Sequence, residues 1–226
     1  MTIFDKTFEN YTQHFHKLSI KPLKKRVEQL EKLTSLLNTH FKFDTIYSIE
    51  TGGSQNWDDG MVGYYFAHLS NITGGKFTSV DTNPNLEPKV YKAYHDVDPN
   101  LKITHITDDS LNLLKSPPYI PNLVHLDSLD VWLTDPLPSA LHGWREFEAV
   151  ESKMPIGSII VIDDNFYPGE KIPWYVSYSD GRNTEEIIDI KYPIGKGAHV
   201  YQWLFGDEKN WKILDADYKL VIQKQW

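Results

Sequence analysis

Five short apolar runs in this chain each end at oxygen-bearing or very small side chains. Residues 46–49 lead into Glu50-Thr51-Gly52-Gly53-Ser54, and 77–80 into Asp81. Residues 101–106 precede Asp108-Asp109-Ser110, 123–126 precede Asp127-Ser128-Leu129-Asp130, and 158–162 precede Asp163-Asp164-Asn165. Glycines such as Gly52 and Gly53 let the backbone approach a ligand closely. A carboxylate such as Asp81 can accept hydrogen bonds from two adjacent hydroxyls. Asp127, Asp164 and Asn165 are hard oxygen donors of the kind that hold Mg²⁺ or another divalent cation. For proton transfer the candidates are His142, whose type titrates near neutrality, together with Asp130 and Asp127. Glu146, one helical turn after His142, can orient it. His125 alternates with Asp127 along its run and reads as a core histidine.

Those side chains need elements to hold them. Leu23, Val27, Leu30, Leu33 and Leu37 recur at spacings of three and four after Pro22, which predicts an amphipathic helix. Helices are expected over 61–69, 84–94, 139–150 and 198–205, between or after the apolar runs. Alternation of strand and helix five times predicts a parallel, doubly wound α/β sheet. Two further apolar stretches, 211–214 and 220–222, are separated by too few residues for a crossover, so they should pair antiparallel. Residues 166–197, rich in Pro, Gly and Tyr, read as a long loop with one strand near 187–190. The expected organisation is one domain over 1–226, with 1–40 an N-terminal arm plus the amphipathic helix. His14 and His16 fall in that arm, which reads as solvated. Trp57 and Trp132 follow motif loops and read as packing residues.

In order and spacing, these motifs resemble class I S-adenosylmethionine-dependent methyltransferases. The resemblance spans residues 40–226. It implies a Rossmann-like sheet with an antiparallel C-terminal hairpin, and a cofactor site built from Glu50, Thr51, Gly52, Gly53, Ser54, Asp81, Asp109, Ser110 and Asp127. Asp81 would hold the ribose, Asp109 and Ser110 would flank the adenine, and Asp127 would flank the methyl donor. Metal-dependent O-methyltransferases of the catechol, macrolide and sugar types place acids where Asp127, Asp164 and Asn165 stand. The catechol type has a Lys three residues after the first acid, whereas this chain has Asp130 there. Asp130 is then a third ligand or the base itself, or His142 is the base without metal.

Composition narrows the function. Charged residues make up 24% and apolar ones 40% of 226 residues, as in ordinary globular chains. A net charge of -8 gives no sign of a nucleic-acid-binding patch. The absence of cysteine excludes thiolate metal sites and thiol nucleophiles. No run approaches the roughly 18 apolar residues that span a bilayer, and the N-terminus lacks a signal-peptide core, so a cytoplasmic protein is expected. The expected acceptor is a small molecule or glycan, methylated at oxygen; the oligomeric state is left open. Two other readings are a non-catalytic cofactor-binding or assembly subunit and an NAD-binding Rossmann enzyme. The latter wants three spaced glycines, where this chain has only adjacent Gly52 and Gly53.

Overall fold

A computed structural model of the chain describes residues 1–17, 24–57, 60–177, 183–205 and 210–226. Deep in its central sheet lies β5 (Ile159–Ile162), whose four side chains are all buried. Successive strand residues point to opposite faces. Ile159 and Val161 accordingly enter one apolar cluster and Ile160 and Ile162 another. A strand that is apolar on both faces requires cover on both, which is the condition for a parallel sheet flanked by helices.

The remaining parallel strands are β1 (Tyr47–Thr51), β2 (Lys76–Asp81), β3 (Thr104–Thr107) and β4 (Leu123–Leu126). Antiparallel β11 (Leu220–Lys224) pairs with β5, and β10 (Trp211–Ala216) with β11. The sheet order is β10-β11-β5-β4-β1-β2-β3. Strand order reverses at β1, which lies between β4 and β2. In such open sheets ligands bind at the carboxyl ends beside that switch point.

One face is covered by α1 (Ile3–Lys17), α2 (Lys24–His40) and α3 (Val62–Ile72), through residues such as Tyr11, Leu33, Leu37 and Phe66. α4 (Glu87–His95) adds Val90 and Tyr94 to that face. The other face is covered by α5 (Ser110–Lys115), α6 (Leu137–Glu151) and α7 (Ala198–Leu204), through Leu114, Phe147, Val150 and Val200. Parallel strands, helices on both faces and the closing hairpin all match the sequence reading. Leu23, the first residue of the predicted apolar stripe, lies outside the described residues, as does the side chain of His16.

Two expectations are corrected. Residues 3–17 are a helix with a buried face rather than a solvated arm, because Phe4, Thr7, Tyr11 and His14 fall on one side and pack inward. His14 is buried, with its ring 2.9 Å from the Tyr64 hydroxyl. Residues 166–197 hold more strand than one segment. β7 (Lys171–Ser177) and β8 (Asn183–Asp189) form an antiparallel hairpin. Below it, β6 (Asn165–Phe166) pairs with β9 (Ile194–Gly195). Among the described residues no helix is long and apolar enough to cross a membrane.

Candidate functional site

A cavity of about 1150 Å³ opens at the carboxyl ends of β1, β2, β4 and β5. Single small-ligand pockets run to about 1,000 Å³, so this one has room for a cofactor and a second molecule. Gly52, Gly53, Ser54, Asp81, Asp109, Ser110, Asp127, Asp130, His142 and Asp164 all line it. Sequence positions spread over more than a hundred residues therefore converge on one space.

The glycine turn is required by its conformation. Gly52 and Gly53 have φ of 98° and 54°, and a Cβ on Gly52 would sit 2.3 Å from the Asp127 carbonyl oxygen. Met61, Leu129 and Asp164 are the non-glycine residues with positive φ among the described residues, and all three line the cavity. Backbone held in this region costs energy and concentrates at ligand sites.

Glu50, Thr51 and Asn165 are placed differently from the expectation. None of the three lines the cavity, and all are buried. Glu50 accepts hydrogen bonds from the Ser54 hydroxyl (2.5 Å), the Ser54 amide (3.3 Å) and the Tyr94 hydroxyl (3.2 Å). It thus braces the glycine turn from beneath. The Thr51 hydroxyl accepts from the Asp127 amide at 3.1 Å, tying β1 to β4. The Asn165 amide donates to the Ile162 carbonyl, and its oxygen accepts from the Gly197 amide.

On the β2–β3 side the acids cap locally. Asp81 accepts from the Asn83 amide at 2.7 Å, and Asp109 caps α5 through the Leu111 amide at 2.8 Å. The His142 ring lies 3.3 Å from the Ser110 hydroxyl and 3.5 Å from Glu146, as its spacing predicted. The Glu146 carboxylate raises the His142 pKa against the opposing effect of burial. Trp57 is a buried packing residue, whereas Trp132 is 66% exposed at the cavity wall.

On the β4–β5 side the acids are ion-paired in depth. Lys196 Nζ is 2.6 Å from Asp127 and 2.7 Å from Asp164, with its side chain 2% exposed. Lys219 Nζ is 2.5 Å from Asp163. His125, fully buried, stands 3.5 Å from both Glu50 and Asp163. Burial opposes its charge, but Asp163 and Glu50 outweigh that and push its pKa up to about 9. Asp127 is raised as well, which for an acid disfavours the charged form. Burial and the neighbouring Asp163 and Asp164 charges push it up to about 6, against the pull of Lys196. The Tyr218 hydroxyl donates to Asp164, and the Arg26 guanidinium lies 5.0 Å from the Tyr218 ring centre. Sequence reasoning found the acids but neither lysine.

A divalent cation does not fit this arrangement. His125, Asp127 and Asp163 bring candidate ligand atoms within 4.8 Å of one another. Yet Lys196, Lys219 and a His125 favouring its charged form already neutralise that cluster, and Asn165 spends its amide on backbone.

No protein-family model and no curated protein sequence matches the chain. Solved structures do. A structure described as an O-methyltransferase of Klebsiella pneumoniae aligns over 100% of this chain and 91% of its own, at TM-score 0.54 and 12% identity. One described as a caffeoyl-CoA O-methyltransferase of Staphylococcus aureus covers 97% and 92%, at 0.53 and 10%. One described as an rRNA methylase of Clostridium thermocellum covers 86% and 96%, at 0.52 and 15%. The chain has the class I methyltransferase fold. In this fold the cavity lies at the switch point, where the sheet presents five strand-end motifs to one ligand space.

Proposed function

We propose that the chain is an S-adenosylmethionine-dependent methyltransferase that methylates oxygen on a small molecule or glycan. The observation that carries this reading is the convergence of Gly52, Gly53, Asp81, Asp109, Ser110 and Asp127 on one cavity at the switch point of a methyltransferase fold.

Bound S-adenosylmethionine would supply an electrophilic methyl group. The chain's own residues bind and orient it. The Asp81 carboxylate lines the cavity and would accept hydrogen bonds from the ribose hydroxyls. Asp109 and Ser110 would flank the adenine, and the glycine turn would admit the cofactor close to the backbone. Glu50 and Thr51 act from beneath by fixing that turn and the β1–β4 seam. Asp127 takes the acceptor proton. Its side chain is one-third exposed, and a pKa near 6 leaves it ionised yet basic at neutral pH. Asp130 and His142 line the same cavity as positioning groups. His142 sits beside Ser110, the residue that would flank the adenine.

Nucleic acid is a poor acceptor for this cavity, despite the rRNA methylase likeness. Six aspartates line it: Asp81, Asp109, Asp127, Asp130, Asp163 and Asp164. Among its described lining residues Arg26 is the sole lysine or arginine. Phosphate backbones bind where cations predominate.

Calorimetry tests the cofactor. S-adenosylhomocysteine should bind in the micromolar range, about -8 kcal/mol. Asp81→Ala should weaken it by about 1.5–3 kcal/mol through loss of a charge-assisted contact. Binding of NAD with no binding of S-adenosylhomocysteine would overturn the reading.

A further inference from the structure

The acids at the ends of β4 and β5 pose an electrostatic problem. Asp127, Asp163 and Asp164 crowd a small site, and carboxylates this close cannot all stay ionised without a counter-charge. A divalent cation is one remedy. The structure supplies another from a distant part of the chain. Lys196 Nζ lies within 2.7 Å of both Asp127 and Asp164, bridging the two carboxylates that a metal would bridge.

The backbone that delivers this lysine is built to fit. A Cβ on Gly195 would lie 2.0 Å from the Asp164 carbonyl oxygen, and Gly195 has φ of 119°. A Cβ on Gly197 would lie 2.7 Å from Asn165 Oδ1. A Cβ on Gly143, in α6, would lie 2.2 Å from the Lys196 carbonyl oxygen. Three glycines thus let the segment carrying Lys196 sink between β5 and α6. The Asn165 side chain, expected beside Asp127 and Asp164 as a metal ligand, instead accepts from the Gly197 amide and holds that segment in place. The two carboxylates also act on the lysine, holding its charge firmly despite burial.

We infer that Lys196 is a built-in cation occupying the seat of a divalent metal, and that its ammonium, clamped between Asp127 and Asp164, holds the two carboxylates in place and orients them toward the acceptor. It is a positioning residue, since it acts through Asp127. The idea deepens the methyltransferase reading at one point, the role of Asp127. Its structural claim, a lysine in a latent metal seat, can be tested without activity.

The probe is Mn²⁺, followed by paramagnetic resonance and by thermal melting with and without chelator. Wild type should bind Mn²⁺ weakly and melt at the same temperature in both conditions. Lys196→Ala vacates a seat lined by paired carboxylates. It should bind Mn²⁺ at least about tenfold more tightly than wild type and gain melting temperature on adding it. Lys196→Met fills the same space without charge and should show neither effect. Tight Mn²⁺ binding by wild type, lost in Asp164→Asn, would overturn the inference. So would a Lys196→Ala chain that gains no affinity, or one that folds neither with nor without Mn²⁺. Failure of S-adenosylhomocysteine to bind wild type, with these metal results as expected, would instead count only against the methyltransferase reading.

Discussion

The two halves of the cavity use the same residue type in opposite ways. Asp81 and Asp109, after β2 and β3, are accessible acids that accept backbone amides of their own turns. Asp127, Asp163 and Asp164, after β4 and β5, are tied to lysines remote in sequence. The first arrangement leaves lone pairs available to a neutral, hydroxyl-rich ligand. The second builds a paired ionic layer in the cavity wall, where removal of one partner strands the other. An acid at a strand end can therefore be a binding group or part of a charge lattice, and only its counter-ions tell which.

Three experiments press on that contrast. The largest effect is expected at Asp127. Asp127→Asn should lower kcat about 10²–10⁴-fold, the usual range for a positioned base, with S-adenosylhomocysteine affinity nearly unchanged. His142→Gln should cost far less in kcat. The reverse ranking would move the base to the adenine side and erase the distinction. With Asp127 intact, kcat/KM should rise with pH through about 6 as its carboxylate ionises.

An intermediate effect concerns stability. The folded His125 pKa, about 9, lies above its ordinary value of 6.5. A group raised in this way contributes fully below the unfolded pKa, and its contribution fades as pH climbs through the folded one. Melting temperature should therefore fall between about pH 6.5 and 9. His125→Gln should flatten that slope, and a slope unchanged by the substitution would remove His125 from the charge lattice.

The smallest expected effect is none. Exhaustive chelation should leave turnover unaltered, because the seat between Asp127 and Asp164 already holds an ammonium. Loss of turnover with recovery on Mg²⁺ addition would break the comparison outright.

The fold was legible because each parallel strand is an apolar run stopped by an acid or glycines, and because the short 211–222 connection forbids a crossover. The placement of the β2–β3 half of the cavity wall was legible too, since Gly52, Gly53, Asp81 and Asp109 stand directly at the ends of their strands. The ionic half was not. Lys196 lies 69 residues from Asp127, and Lys219 lies 56 from Asp163; no local pattern announces such pairs. Residues 3–17 did carry a signal, Phe4, Phe8 and Tyr11 at helical spacing, but interspersed charges and histidines made the stretch read as polar. Pro173 argues against a strand over 171–177, yet it pairs opposite Ile187 in a two-stranded hairpin, where every strand is an edge strand and a residue without an N–H is tolerated.

The short β6–β9 pairing has a consequence for how this molecule can change. The chain leaves β6 at Phe166 and comes back at Ile194, two residues before Lys196. Whatever lies between is tethered at both ends by one narrow clasp, and lengthening a loop adds little closure cost. The hairpin beyond the clasp can therefore be extended or exchanged, provided the buried Ile172 and Ile190 are kept, while the Lys196 ammonium stays between Asp127 and Asp164. Variation in what the cavity accepts is thereby separated from variation in how it reacts, and a grafted hairpin is the natural unit in which to alter the one without disturbing the other.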